Sequence, residues 1–288
     1  MKNPIFIIEG GLGNQLFQLA YAHSSIRGGN KKFGLIFNSK NTQKTSFQLS
    51  PILKECRHFS FVQDIGNLMR VFPPLDGSGQ LLSKVRGSLF EDWLISREKQ
   101  YFTYDEKSVF DFKPINRGYF QHTNYVDNSY ELFFPELCAT IKNIRDQSSI
   151  SLLDPFTGLH IRRGDYSVQD QGLIHLKYYE RILELEESMG NKSIIFGDDE
   201  DILLSLSKEF KNSKTFGPSA ANAWEVISWL AISNRTYTAN STLSWWGGYL
   251  ANMNGSKTFL PSPWFLNQEV GDAFVFPGSQ LLASSWVT

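Results

Sequence analysis

Short apolar runs alternate with helical periodicities along the second half of the chain. The runs FTGLHI, KSIIF, KTF, TYTA and KTFL have the length and composition of buried strands. Between them, apolar residues recur at helical spacing in LKYYERILELEE, EDILLSLSKEF, AWEVISWLAIS and TLSWWGGYLANM. This alternation predicts a parallel sheet, because parallel neighbours need a crossover that helices of this length provide. Gly190 follows the first helix, where a C-terminal cap is expected.

The first half opens with one further α/β unit and then loses its regular pattern. PIFIIEG predicts a strand, GGLGNQ a turn, and NQLFQLAYAHSSIR a helix that Gly28–Gly29 ends. Residues 71–88 contain Pro-Pro and glycine turns, which predict a long loop. We place the domain boundary near Ser148–Asp154, which gives an α/β protein with an N-terminal lobe of residues 1–150 and a C-terminal lobe of residues 151–288.

Composition excludes several classes of protein. The chain has 288 residues, 41% hydrophobic and 20% charged, which is enough for two packed domains and argues against disorder. A net charge of -1 provides no field for nucleic acid, so any anion site must be local. Cys56 and Cys138 lie far apart in sequence with no histidine cluster, so we expect neither a disulfide nor a zinc site. The early run IFII is too short for a signal sequence, and we expect a cytoplasmic protein.

Polar or glycine-containing segments follow all five predicted strands. In chain order they are RRGDY, GDD, GPS, NSTLS and PSPW. In an open parallel sheet these segments lie along the carboxyl edge, which is where ligands bind. The sequence therefore predicts a binding site at this edge.

Arg162 and Arg163 end the first of these strands and suggest an anion. A guanidinium is permanently charged, and its planar fork matches two phosphate oxygens. The alternative is a salt bridge from one arginine to Asp165, with the other arginine in solvent. His160, on the same strand, is either a core histidine or a participant in the site.

The turn GGLGNQ is a second place where a phosphate could bind. Backbone N–H groups around Gly11 and Gly13 and the start of a helix suit an anion, although Leu16 replaces the third glycine of a dinucleotide fingerprint. A tight structural turn is the alternative. The amides of Asn14 and Gln15 favour the ligand interpretation, because amides hydrogen bond better than they pack.

Two further segments carry polar groups at helix starts. In Asp198–Asp201, Asp199 could contact a ribose or a base, the carboxylates could hold a metal ion, or they could simply cap the helix. Asn240 and Ser241 precede the helical segment TLSWWGGYL, which begins with Thr242. Hydroxyls and backbone N–H groups at this helix start can bind a phosphate. Helix capping is again the alternative.

Taken together, these motifs resemble the bacterial α-1,2-fucosyltransferases of glycosyltransferase family 11. The resemblance runs from residue 8 to about residue 265, and the spacing of HIRRGDY and STLSWWG makes it specific. The motifs that carry it are, in order, GGLGNQLFQLAYA, GYFQHTNY, HIRRGDY, LKYYERIL, FGDD, NSTLSWWGGYL and PSPWF.

The resemblance implies an inverting transfer of L-fucose from GDP-fucose to the 2-hydroxyl of a terminal galactose-type residue in O-antigen synthesis. It implies two Rossmann-like lobes in a GT-B-like architecture, with GDP-fucose on the C-terminal lobe, the acceptor on the N-terminal lobe, and no cofactor or obligatory metal. A lipid-linked acceptor would allow peripheral membrane attachment. The alternatives are another nucleotide-sugar transferase or a non-catalytic protein that binds GDP or glycans.

The resemblance also suggests roles for the candidate residues. Arg162 would stabilise the β-phosphate, Arg163 would assist or brace the loop, and Asp165 is a candidate base unless it pairs with an arginine. The expected donor-binding residues are Gly11, Gly13, Asn14, Gln15, His160, Asp199, Asn240, Ser241 and Thr242.

Overall fold

The computed structural model describes residues 3–26, 32–37, 46–64, 95–110, 113–150, 155–164, 172–266 and 268–285. The chain divides into two compact units, an N-terminal unit (Met1–Thr140) and a C-terminal unit (Ile141–Thr288). The boundary that the sequence suggested lies a few residues beyond this division. The predicted loop at 71–88, the pair Gly28–Gly29 and Asp165 lie outside the described residues.

The N-terminal unit is built on a parallel sheet with the strand order β3-β2-β1-β5-β4. Its strands are β1 (Ile5–Ile8), β2 (Phe33–Phe37), β3 (Phe59–Asp64), β4 (Ile95–Arg97) and β5 (Ile115–Arg117). Its helices are α1 (Leu12–Ser25), α2 (Ser50–Leu53), α3 (Glu106–Phe110) and α4 (Thr123–Gln147), of which α4 continues past the division between the units.

Helix α1 is the centre of this unit. None of its residues is exposed, and its buried side chains include polar ones such as Gln15 and His23. The ring of Tyr21 stacks on Phe120 with centroids 3.7 Å apart, and Phe6 of β1 packs edge-on against the same tyrosine. Burial of α1 fixes the GGLGNQ turn, predicted between β1 and α1, at the carboxyl edge of the sheet.

The C-terminal unit confirms the predicted alternation of strands and helices. Its sheet has the order β11-β10-β9-β6-β7-β8, and every pair is parallel. Its strands are β6 (Thr157–Ile161), β7 (Ser193–Gly197), β8 (Ser213–Phe216), β9 (Arg235–Tyr237), β10 (Lys257–Ser262) and β11 (Ser279–Ala283). Its helices are α5 (Leu176–Ser188), α6 (Glu200–Glu209), α7 (Ala223–Leu230) and α8 (Thr242–Met253). Gly190, at φ +74°, follows the C-terminal end of α5 as predicted.

Two adjacent glycines let α8 approach both α7 and the sheet. A Cβ on Gly247 would lie 2.6 Å from the Cβ of Leu230, and a Cβ on Gly248 would lie 2.9 Å from the Cγ2 atoms of Thr238 and Thr258. The neighbouring Trp245 is fully buried and donates its indole N–H to the carbonyl of Phe274 at 2.7 Å. This packing holds the first turn of α8 at the carboxyl edge, directly after β9.

Candidate functional site

The arginines at the end of β6 meet a carboxylate at the end of β7. The two strands end side by side, with Ile161 opposite Gly197. Nη1 of Arg162 lies 2.8 Å from Oδ2 of Asp198, and the backbone N–H of Arg163 donates to Oδ1 of the same side chain at 2.7 Å. The convergence predicted from the sequence is confirmed for these two segments.

The two arginine side chains do different things. Nη1 of Arg163 donates to the backbone carbonyl of Ile174 at 3.0 Å, so this guanidinium braces the segment before α5. The side chain of Arg162 is 29% exposed, and it forms an ion pair with the carboxylate of Asp198. Both arginine residues are half-buried, and a contact from either guanidinium to a ligand stays a prediction. The alternative that the sequence suggested, a salt bridge from one arginine to Asp165, lies outside the described residues.

Gly164 leaves the room that Asp198 occupies. A Cβ at Gly164 would lie 2.6 Å from Oδ2 of Asp198, inside van der Waals contact. Any side chain there would push against the carboxylate that holds both arginine segments. Glycine is thus favoured at position 164 because Asp198, which is 34 positions away in sequence, occupies the space that a side chain would need.

Among the buried polar atoms that lack a hydrogen-bond partner in the described residues, two belong to predicted site residues. They are Nδ1 of His160 on β6 and Oδ1 of Asn240 after β9, and both residues are at least 97% buried. The Nδ2 group of Asn240 donates to the carbonyl of Gly172. Burial, assisted by the charge of Arg162 and opposed by that of Asp198, lowers the pKa of His160 to about 4. His160 is therefore neutral at physiological pH and can accept or donate one hydrogen bond to a ligand.

Ser241 and Thr242 begin α8 without the expected side-chain cap. Ser241 occupies the N-cap position in an extended conformation, but its hydroxyl makes no capping hydrogen bond, so the capping alternative is wrong for this residue. The hydroxyl of Ser244 instead binds the N–H of Ala239 at 3.1 Å and the carbonyl of Ser241 at 3.1 Å, which stiffens the turn. The start of α8 is a helix N-terminus, a position that favours the binding of an anion.

Asp199 has the structural role that the sequence left open. Its Oδ1 accepts from the N–H of Ile202 at 3.1 Å and caps α6. The carboxylate that joins the arginines is its neighbour Asp198. The contact to a ribose or a base that the sequence suggested for Asp199 stays a prediction.

In the N-terminal unit the GGLGNQ turn is fastened by its own amides. Gly10, at φ +80°, would bring a Cβ to 2.6 Å from Nδ2 of Asn14. Nε2 of Gln15 donates to the carbonyls of Gly10 and Ser46, and Oε1 accepts from another backbone N–H. Protein groups therefore contact both ends of this buried side chain, and a donor contact by Gln15 stays a prediction.

The other predicted residues of this turn have less crowded surroundings. Oδ1 of Asn14 accepts from Nε2 of Gln121, which belongs to the GYFQHTNY motif. Nothing lies within 4 Å of a Cβ placed on Gly11, so its backbone faces open space, and Gly13 lies in the first turn of α1. A backbone site for a ligand at Gly11 and Gly13 stays a prediction.

Glu98 is a residue that the sequence analysis missed. It follows β4 at the carboxyl edge of the N-terminal sheet, and its Oε2 accepts from the N–H groups of Tyr119 at 2.7 Å and Phe120 at 3.1 Å. Its Oε1 is buried without a partner among the described residues. Burial raises the pKa of this carboxyl to about 7, against the opposing effect of the two N–H donors. No local pattern marks Glu98, because its environment is made by residues twenty positions later.

A cavity of about 600 Å³ lies behind the segment PSPWF that follows β10. Trp264 forms one wall and stacks on Phe274, with centroids 4.3 Å apart. Ser262, Gln268 and Glu269 add polar side chains to the lining. The segment that the sequence predicted to be polar after β10 therefore lines a pocket of mixed polarity.

The chain is similar to known proteins both in sequence and in fold. No protein-family model matches it. It is 30% identical over 299 aligned positions to the α-1,2-colitosyltransferase of Escherichia coli, covering 91% of this chain and 92% of the relative. It is 26% identical over 140 positions to the Escherichia coli O-antigen biosynthesis glycosyltransferase WbnK, covering 46% of this chain and 43% of that protein.

Among solved structures, the Escherichia coli heptosyltransferase WaaC with ADP matches with a TM-score of 0.54, at 11% identity and over 98% of this chain and 93% of that one. The Escherichia coli ADP-heptose heptosyltransferase II matches with the same TM-score, at 12% identity and over 98% and 90%. These likenesses confirm the α/β fold of two Rossmann-like units, of the GT-B type. With the near full-length relative in sequence, they lead to one conclusion: the chain belongs to the glycosyltransferase family that contains the Escherichia coli α-1,2-colitosyltransferase.

Proposed function

We propose that this glycosyltransferase moves L-fucose from GDP-fucose to the 2-hydroxyl of a terminal galactose-type residue, with inversion, in the synthesis of a bacterial surface polysaccharide. Membership of glycosyltransferase family 11 is part of the proposal. The α-1,2 linkage in the name of one relative and the O-antigen in that of the other support it. In the structure, the main support for the proposal is the carboxyl edge of the C-terminal sheet, where the Arg162 side chain is partly exposed and α8 begins.

The chemistry of a nucleotide-sugar donor fits this edge. The leaving group is a diphosphate, which gains charge as the bond to the sugar breaks. Arg162 supplies a fixed positive charge, and the N-terminus of α8 with Ser241 and Thr242 supplies N–H and hydroxyl donors. His160 and Asn240 hold unsatisfied polar atoms that a nucleotide or sugar hydroxyl would satisfy. Asp199 stays a candidate ribose contact, through the oxygen not used for capping.

The proposed step is a single in-line displacement. The acceptor 2-oxygen forms a bond to the anomeric carbon while the bond from that carbon to the β-phosphate oxygen breaks, and the electron pair leaves with GDP. The proton of the acceptor hydroxyl passes to a base. No metal is required by this scheme, because Arg162 and the helix N-terminus carry the charge.

Glu98 is our first candidate for the base, and Asp165 the second. A pKa of about 7 gives Glu98 a useful fraction of carboxylate near neutrality and more basicity than an ordinary glutamate. If Glu98 is the base, kcat rises with pH through about 7, because the carboxylate form is the active one.

Paired variants distinguish the two bases. We expect Glu98→Gln to lower kcat at least about a hundredfold and to remove the inflection near pH 7, with GDP affinity unchanged. Asp165→Asn is the matched control and should leave that inflection in place. Near-normal turnover of Glu98→Gln with an unshifted pH profile rejects Glu98.

Colitosyl transfer is a second candidate, favoured by the 30% identical relative. Colitose is L-fucose that lacks the 3-hydroxyl group, so the two donors differ by one polar group. A site that hydrogen bonds this hydroxyl would reject GDP-colitose by about 10⁴-fold, whereas a site that does not contact it would discriminate only weakly. The ratio of kcat/KM for the two donors therefore decides between the candidates.

The test is an assay of the purified protein with GDP-fucose and GDP-colitose across a panel of terminal β-galactosides, with and without EDTA. We expect time-dependent GDP release and a product whose NMR spectrum shows an α-linkage to the 2-oxygen. Product from another donor would identify a different nucleotide-sugar transferase, and GDP binding without product would identify a non-catalytic protein. A lipid-linked galactoside in the panel tests the proposed acceptor; no described helix is long and apolar enough to cross a bilayer.

A further inference from the structure

Three side chains from separate parts of the N-terminal unit meet behind α1. They are His23 near the end of α1, Cys56 between α2 and β3, and Glu136 in the middle of α4. Nε2 of His23 lies 3.0 Å from Oε2 of Glu136 and 3.5 Å from Sγ of Cys56, and the three atoms are within 4.8 Å of one another. Imidazole, thiolate and carboxylate are the three ligand types that Zn²⁺ takes from proteins.

The distances between these atoms suit a tetrahedral ion. Ordinary zinc bond lengths at tetrahedral angles place a nitrogen and an oxygen ligand about 3.3 Å apart, and a nitrogen and a sulfur ligand about 3.6 Å apart. The observed separations of 3.0 Å and 3.5 Å lie close to both values. An ion would thus need only small adjustments of side chains that are already in place.

The surroundings orient two of the side chains toward a common point. Nδ1 of His23 lies 2.8 Å from the carbonyl of Leu19, and a carbonyl only accepts, so Nδ1 carries a proton. This backbone contact is the usual outer partner of a metal-binding histidine. Oε1 of Glu136 accepts from the N–H of Arg57 at 2.9 Å, which leaves Oε2 for the centre of the cluster.

Packing also holds the imidazole of His23 in place. The side chain is fully buried, and the rings of Phe33 and Phe133 pack against it. Its Nε2 therefore stays directed at the carboxylate of Glu136 and the thiol of Cys56.

We propose that His23, Cys56 and Glu136 form a Zn²⁺ site that ties α1, the segment after α2 and α4 together, with a water molecule as the fourth ligand. The site is structural. His23 lies eleven residues beyond the first residue of α1, or about 17 Å along the helix from the GGLGNQ turn. It is independent of the proposed sugar transfer, and neither proposal fails with the other.

Titration of the reduced, folded, chelator-treated protein with Co²⁺ tests the site, because a cobalt–thiolate bond gives a charge-transfer absorption that no hydrogen-bonded thiol shows. We expect one equivalent to bind, Zn²⁺ to displace it, and the melting temperature to rise with Zn²⁺. Cys56→Ser should abolish the charge-transfer band, and His23→Gln should weaken Co²⁺ binding at least about a hundredfold.

Cys138→Ser is the matched control. It removes the other cysteine, which is also half-buried and lies on α4 two residues from Glu136, and it should leave the band unchanged. Glu136→Gln offers a second variant that keeps an oxygen for the N–H of Arg57 while removing the charged ligand. The proposal is overturned if the wild-type protein shows no charge-transfer band, or if the band survives in Cys56→Ser. The presence or absence of the charge-transfer band in the wild-type protein tests the proposal whether or not the variants fold.

Discussion

Glu186 is fully buried near the amino edge of the C-terminal sheet and is hydrogen bonded at both oxygens. At the carboxyl edge, by contrast, Nδ1 of His160 and Oδ1 of Asn240 are buried without a hydrogen-bond partner among the described residues. Oε2 of Glu186 accepts from Thr157 and Asn191, and Oε1 accepts from Arg235 and Tyr237. Burial raises the pKa of this carboxyl, but the hydrogen bonds and the Arg235 charge outweigh burial and lower it below its usual range.

The difference shows how structure and function divide one sheet. A buried charge whose hydrogen bonds are all made stabilises one arrangement and has nothing left for a ligand. His160 and Asn240 at the other edge carry polar atoms whose burial costs stability until something binds them. We therefore expect substitutions at the amino edge to change stability, and substitutions at the carboxyl edge to change binding and turnover.

The largest effect is expected at Arg162. We predict that Arg162→Ala lowers kcat by about a hundredfold to a thousandfold, because a charge that stabilises a leaving group in a desolvated site contributes about 3 to 4 kcal/mol. Its melting temperature should stay close to that of the wild type, since the side chain is partly exposed. Steady-state kinetics with the best donor measure this, and near-normal turnover would remove Arg162 from the site.

At the amino edge, Glu186→Gln should have the opposite profile. An amide NH₂ would replace one acceptor oxygen, and each oxygen of Glu186 faces one N–H donor that cannot accept, Asn191 or Arg235. We expect a cost of about 2 to 3 kcal/mol in the free energy of unfolding. The melting temperature should fall by about 5 to 10 °C, while kcat of the folded protein stays within about threefold of the wild type. A stable but inactive Glu186→Gln protein would break the comparison.

Gly164→Ala should give a smaller effect on activity. The new Cβ forces Asp198 to move, and the carboxylate then loses its pairing with Arg162 or with the backbone of Arg163. We expect kcat/KM to fall about tenfold with about 1 to 2 kcal/mol of lost stability.

Gly190→Ala is its matched control, because Gly190 lies beyond α5 with φ +74° and open space around it. Backbone strain should cost it about 1 kcal/mol of stability without any loss of activity. Equal losses of activity in the two variants would show that Gly164 acts only through stability.

The effect that is smallest at neutral pH, and that grows on acidification, comes from His160. Its pKa is lowered to about 4 in the folded protein, whereas it is about 6.5 when unfolded. Between these values the unfolded chain binds the extra proton, so stability falls on acidification by up to about 1.4 kcal/mol per pH unit. Denaturant unfolding at several pH values measures this slope, and His160→Gln should reduce it. An unchanged slope in the variant would mean that His160 does not titrate in this range.

What the sequence predicts well is local. The strands and helices from β6 to β10 have their own periodicity, and the order of strand, turn and helix places RRGDY and NSTLS at one edge whatever the details of packing. Strand β11 was missed because it is short and largely exposed, with Leu281 58% exposed, so no apolar run marks it.

The sequence does not show which side chains contact each other when they lie far apart along the chain. Asp198 rather than Asp199 meets the arginines because of how β7 ends against β6, 35 residues earlier. Gln15 is used by Ser46, and Glu98 by the backbone of Tyr119, through contacts that no spacing encodes. The same holds for His23 and Glu136, which are 113 residues apart.

GDP binding measured by isothermal titration calorimetry on the wild type, Arg162→Ala and Glu186→Gln tests most directly whether the unsatisfied carboxyl edge is the donor site. The prediction is measurable GDP binding to the wild type, at least about tenfold weaker binding to Arg162→Ala, and unchanged binding to folded Glu186→Gln. Wild-type affinity in Arg162→Ala, or a loss of GDP binding confined to Glu186→Gln, would contradict it.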